Sequence, residues 1–207
     1  MIGMLYKDLL LTRQDLAVYL LFLLGMGVVV GQGVVGVSIL LGLMVLYSTS
    51  AASPLFAYDG KMNWPRYGAC VSRGRERMVG GRYLYALLVL ALNALAAGGI
   101  LLALSVSGCP GAEPWEVLRA LAACAAGTLV TDALILPVMF LSGLRARILS
   151  VCLMLLLFGG FLVLLWREEH MGGVFERLPV AGLLLFAAAL FVLSWWLTLR
   201  LYRKKEL

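Results

Sequence analysis

Between Asp15 and Asp59 the chain reads LAVYLLFLLGMGVVVGQGVVGVSILLGLMVLYSTSAASPLFAY (residues 16–58), without one charged side chain. A membrane crossing needs about 20 mostly apolar residues to span a hydrocarbon core about 30 Å thick, so this run holds two crossings and a tight hairpin. The turn is expected at Gly31-Gln32-Gly33, where glycine accepts a positive φ without strain. Outward from this run, four further apolar stretches follow. The spans are expected at 16–31, 34–56, 83–106, 117–141, 148–166 and 179–201. The chain has 207 residues, 63% of them hydrophobic and 14% charged. A soluble domain of this size could not hide so much apolar surface. The expected fold is therefore all-α, a polytopic membrane protein of six spans in a single domain, 1–207.

Residues 1–15 read as an amphipathic helix. Ile2, Leu5, Leu9 and Leu16 share one face, and Lys7, Asp8, Gln14 and Asp15 the other. Such a helix would lie in the membrane interface and lead into the first span; the alternative is a simple extension of that span. Its charges interrupt any apolar core of a cleavable signal peptide.

The charges also set an orientation. With six spans, 17 Lys and Arg fall on one side except for Arg119, Arg167 and Arg177. The positive-inside rule places that side, with both termini and the long loop 57–82, in the cytoplasm of a plasma membrane. The net charge of +6 is then a topology signal and an attraction to anionic lipid, and requires no nucleic acid. Trp115, Trp166, Tyr83, Tyr85, Trp195, Trp196 and Tyr202 lie near span ends and read as interfacial anchors.

Much chemistry is missing. No phosphate loop of the form G-x-x-x-x-G-K-[ST] occurs, nor H-E-x-x-H or G-x-S-x-G, so the chain is not expected to be an enzyme. His170, the single histidine, sits beside Glu168 and Glu169 in a loop and reads as an exposed residue rather than a metal ligand. Cys70, Cys109, Cys124 and Cys152 share no ligand spacing. Cys124 and Cys152 fall within spans and read as small apolar packers.

Inside the expected spans, Asp132 follows Thr128 and Thr131, and an ionisable residue in the bilayer is a functional candidate. Asn93 of the third span is its expected hydrogen-bond partner. Gly27-x-x-x-Gly31, Gly98-Gly99 and Gly159-Gly160 let helices approach closely, within one chain or between two. Pro137 is expected to kink the fourth span or end its regular part.

Loop 57–82 carries Lys61, Arg66, Arg73, Arg75, Arg77 and Arg82 against Asp59 and Glu76. Ser72 can cap a helix, with Arg75-Glu76-Arg77 in its early turns. The order Phe56-Ala57-Tyr58-Asp59-Gly60-Lys61-Met62-Asn63-Trp64-Pro65-Arg66-Tyr67, then Val71-Ser72-Arg73 and Arg82-Tyr83-Leu84, resembles the first cytoplasmic loop of small bacterial permeases of the type-2 ATP-binding-cassette (ABC) exporter class. Leu136-Pro137 with Gly143-Leu144-Arg145-Ala146-Arg147, and the opening Met4-Leu5-Tyr6-Lys7-Asp8-Leu9, resemble the same class. The chain departs from it at Gly60, Ala69-Cys70 and Arg82, where the class tends to carry an acid, Leu-Pro and Lys.

The resemblance implies that the loop is a coupling helix docked on a separate ATPase subunit. Asp59, Trp64, Ser72, Arg73, Arg75, Glu76 and Arg77 would then be the contact residues. It implies two permease positions, filled by a second copy or a paralogue, and two ATPase subunits that bind ATP and Mg, with no cofactor in this chain. The cargo it implies is a hydrophobic or amphipathic substrate, peptides included. Two other readings stay open: a gradient-driven transporter or channel using Asp132, and a non-transporting membrane subunit that regulates a complex.

Overall fold

The computed structural model describes residues 2–33, 35–62, 64, 74–107, 114–141, 152, 155–156, 159–160 and 180–203. Six long or medium helices organise them: α1 (Ile2–Gly31), α2 (Ser38–Ser50), α3 (Ser53–Lys61), α4 (Gly74–Val106), α5 (Pro114–Leu141) and α6 (Val180–Arg203). Among the described residues, five helical stretches are long and apolar enough to cross a membrane: Gly3–Gly31, Ser38–Lys61, Glu76–Val106, Pro114–Phe140 and Val180–Tyr202. The second of these joins α2, a short turn and α3. The span expected at 148–166 lies almost wholly outside the described residues.

Local chemistry explains the breaks. α1 stops at Gly31, and the chain turns through Gln32 and Gly33 with Gly33 at φ 74°. Its amide donates to the Val30 carbonyl at 2.9 Å. Only a residue without Cβ takes that φ freely. Between α2 and α3, Pro54 lacks the amide hydrogen that would reach the Ser50 carbonyl, so the helix is interrupted at Ala51–Ala52 and restarts with Pro54 in its first turn.

One expectation is corrected here. Residues 2–15 are not set off as a separate helix, because α1 runs unbroken from Ile2 to Gly31. Its buried stripe is Asp8, Thr12, Tyr19, Leu23, Gly27 and Val30, at helical spacing. The Asp8 face, read from the sequence as the wet one, therefore turns into the protein. Elsewhere α1 shows Val18, Leu21, Phe22 and Val28 outward, and α6 shows Leu185, Phe186, Val192 and Leu193. Helices apolar on every face suit a lipid surrounding.

α4 is the hub of the bundle and touches α1, α2, α5 and α6, while α5 and α6 share the longest contact. The glycines of Gly27-x-x-x-Gly31 pack within the chain. A Cβ on Gly27 would come within 2.7 Å of Ile100 Cγ2, and one on Gly31 within 3.1 Å of Leu104. One apolar core joins Leu23, Leu40, Met44, Ala97, Leu101 and Cys124. A second, toward the Asp59 end of the bundle, joins Val79, Tyr83, Ala133, Leu136, Phe140 and Phe191.

Candidate functional site

Where α1 begins, α3 ends and α4 enters the bundle, four charged side chains meet. Lys7 Nζ donates to Asp59 Oδ1 at 2.7 Å and lies 3.5 Å from Asp8 Oδ1. Arg82 Nη1 lies 2.9 Å from Asp8 Oδ2, and Arg82 Nη2 donates to Asp59 Oδ2 and, at 3.2 Å, to the Leu55 carbonyl. The four form a closed ring of alternating sign. Arg82 and Asp8 are 3% and 2% exposed. Asp59 is mostly covered and Lys7 only partly.

Burying charges costs several kcal/mol per ion unless they are paired, and the ring supplies each charge with two opposite neighbours. The Arg82 Nη1–Asp8 contact is an ion pair outside hydrogen-bond geometry: Arg82 Nη1 and Asp8 Oδ1 make no protein hydrogen bond. Aromatic rings close the sides. Lys7 Nζ sits 4.8 Å from the Trp64 ring centroid, and the Arg82 guanidinium 5.1 Å from that of Phe56. Beneath, Tyr85 donates to Thr12 at 2.9 Å, and Thr12 donates to the Asp8 carbonyl, so α4 and α1 are tied a second time.

Of the residues expected to contact a partner, the structure brings Asp59 and Trp64 together at this ring. Glu76 is half-buried and Arg77 exposed on the first turn of α4. Arg75 lies on the same turn, with its side chain outside the described residues, and Ser72 and Arg73 lie outside them altogether. Sequence reasoning missed Lys7, Asp8 and Arg82 as site residues, counting the cations only toward topology. The signal was present: Asp8 is an acid beside Lys7 ahead of a long uncharged run, and Asp59 is one of only two acids in the loop.

Deeper in the bundle a second polar set appears. Asp132 is 3% exposed on α5. Asn93 is not its hydrogen-bond partner: Asn93 Nδ2 donates to Ser48 Oγ of α2 at 2.8 Å, and its Oδ1 accepts no hydrogen bond. Antiparallel packing puts Asn93 nearer the far end of α4, level with a different part of α5. The Tyr83 hydroxyl rests between Ser194 Oγ at 2.8 Å and Thr198 Oγ1 at 2.9 Å.

Tyr83, Tyr85 and Tyr202 are therefore not interfacial anchors; all three are buried, and the first two spend their hydroxyls on other helices. Trp115 and Trp196 are exposed, as anchors require. Trp166 lies outside the described residues.

Pro137 does not end α5, which runs on to Leu141. Proline has no amide hydrogen for the carbonyl four residues back, that of Ala133. Ser194 Oγ of α6 donates to that carbonyl instead, at 2.6 Å. Nearby, an apolar cavity of about 230 Å³ opens between α4 and α6, lined by Gly80, Tyr83, Leu84, Leu87, Phe191, Val192 and Trp195.

Cys124 is buried, as a packing residue should be, whereas Cys152 is exposed. Among the described residues no group of three or more His, Cys, Asp or Glu could hold a metal ion. His170 lies outside them.

A family model described as ABC-2 family transporter protein matches residues 3–203. No curated protein and no solved structure matches the chain.

Proposed function

The chain belongs to the ABC-2 transporter family, and on that premise we propose that it is the permease subunit of an ABC exporter, driven by a separate ATPase. The observation that carries this reading is the extent of the family match, 3–203, over a chain with five apolar crossing helices among its described residues. The absence from the sequence of a phosphate-binding loop fits a division of labour, with ATP and Mg held by the partner. In this reading the chain sits in a plasma membrane with both termini cytoplasmic, alongside a second permease copy or paralogue.

The loop 57–82 is the docking element. Asp59 and Trp64 hold its first half against the bundle, and Ser72, Arg73, Arg75, Glu76 and Arg77 face the ATPase. ATP binding shifts a two-state balance in the ATPase pair, and the docked loop carries that shift to the spans. Largely apolar helices suit a hydrophobic or amphipathic cargo, peptides included.

The test is co-expression with a candidate ATPase, purification in lipid nanodiscs, and measurement of ATP hydrolysis. The wild-type chain is expected to co-purify with the ATPase and alter its hydrolysis. The double variant Arg73→Glu/Arg77→Glu is expected to lose association while the spans stay folded. Intact co-purification of the double variant at moderate salt would remove the docking assignment. A chain that never associates, and whose transport without ATP is abolished by Asp132→Asn, would replace the permease reading with a gradient-driven one. The buried Asp132 carboxyl is the observation behind that rival.

A further inference from the structure

We propose that the ring of Lys7, Asp8, Asp59 and Arg82 is a clamp that makes the start of α1 and the helix α3 move as one body, with Arg82 as its central positioning residue. Motion delivered to the loop would then enter the membrane through α1 as well as through α2. Only the delivery of that motion rests on the permease reading; the clamp rests on the contacts themselves.

The attachments of α3 to α1 are unusual in kind. α4 is held to α1 along most of its length, with Gly27 and Gly31 seated against Ile100 and Leu104. α3 meets α1 sparingly, and there Lys7 and Asp59, 52 residues apart, are joined by the ring. Apolar support there is small: Leu5 packs at the edge of a cluster containing Leu55, Tyr85 and Val89. The joint between α1 and α3 is thus mainly ionic.

An ionic joint of this form resists partial opening. Arg82 reaches both carboxylates and the Leu55 carbonyl at once, a geometry that the planar guanidinium provides and a lysine ammonium does not. Partial separation of α3 from α1 would strand Asp59 against Arg82 alone and leave Lys7 beside Asp8. Removing one partner from a buried charge set is far more costly than losing a surface pair, so the intact ring resists separation of the two helices. Apolar side chains of the same volume would join the helices at least as firmly. What the charges add is a joint that fixes direction and register.

Tyr6 and Met62 provide reporters, being 66% and 70% exposed and outside the ring. With Cys70, Cys109, Cys124 and Cys152 replaced, cysteines at positions 6 and 62 would carry spin labels, and their separation would be read by pulsed electron paramagnetic resonance. In nanodiscs, without any ATPase, the intact ring is expected to give one narrow distance distribution. Asp59→Asn and Lys7→Gln are each expected to broaden it roughly twofold, since each leaves a buried charge short of a partner. Asp59→Glu restores the narrow form.

Lys7 is the most exposed member of the ring, so Lys7→Gln keeps the test decisive should Asp59→Asn fail to fold. A narrow distribution in the Lys7→Gln variant would overturn the clamp. In the complex with the ATPase, trapping with ATP and vanadate should leave the 6–62 distance unchanged, and a shift in that distance would also overturn it. Failure of the ATPase to associate bears on the permease reading alone, because the nanodisc comparison decides the clamp without it.

Discussion

At the scale of single residues, Arg82 is where fold and function meet. It is a cation that sequence statistics assign to the edge of a span, yet it is 3% exposed and holds two carboxylates. Arg82→Gln would leave Asp8 and Asp59 sharing only Lys7, and the expected loss is about 3–5 kcal/mol, the scale seen when one partner of a buried ion pair is removed. Arg82→Lys should recover only part of it, because one ammonium cannot serve Asp8, Asp59 and the Leu55 carbonyl together. Thermal unfolding of the purified variants in nanodiscs checks the order wild type, Lys, Gln. A Lys variant as stable as wild type would mean that charge alone, not the fork geometry, matters at this position. Asp8 shows why this was hard to read in advance. Periodicity places it at the flank of the Leu5 and Leu9 face, in line with Asp15, and nothing local says that an arginine 74 positions on will turn that flank inward.

At the scale of elements, proline and serine exchange a hydrogen bond across two helices. Pro137 leaves the Ala133 carbonyl free inside α5, and Ser194 of α6 takes it at 2.6 Å. Ser194→Ala should therefore cost about 1–3 kcal/mol, the usual penalty for a buried acceptor left without a donor. Pro137→Ala in that background returns an amide to the carbonyl and should recover part of the loss. A double-mutant cycle on melting free energies measures the exchange. Additive effects, with no coupling between positions 137 and 194, would show that the carbonyl is satisfied some other way. The element boundaries were largely legible: the Gly31-Gln32-Gly33 turn lies where glycine permits it, because a turn of that kind is a local property of a few residues. The continuity of α1 was not legible, since the choice between a helix in the interface and a helix in the bundle depends on what Asp8 and Thr12 meet.

At the scale of the whole molecule, the distribution of charge makes a statement about sidedness. Met62 and Gln32 lie at opposite ends of the second crossing and are both exposed. With native cysteines replaced, a membrane-impermeant maleimide applied to intact cells should label Gln32→Cys and leave Met62→Cys unlabelled until the cells are opened. Labelling in the reverse order would put the basic loop outside and remove it as a docking surface for a cytoplasmic ATPase. The rule behind the expectation concerns lysine and arginine in short flanks: with six spans, all but Arg119, Arg167 and Arg177 would fall on one side.

The sequence by itself determined the class of this protein: helices of membrane-crossing length, a hairpin turn at its glycines, and membership of a transporter family. These follow from run lengths, residue order and charge placement, which can be counted along one dimension. Tertiary structure decided everything that depends on how helices are rotated and staggered against each other. It chose Ser48 for Asn93, Ile100 for Gly27, Ser194 for the carbonyl that Pro137 leaves free, and a ring of four charges for Asp59. A rotation of 100° per residue carries a side chain from lipid to core in two steps, so pairings between distant positions exist only once every helix has been set in register by packing.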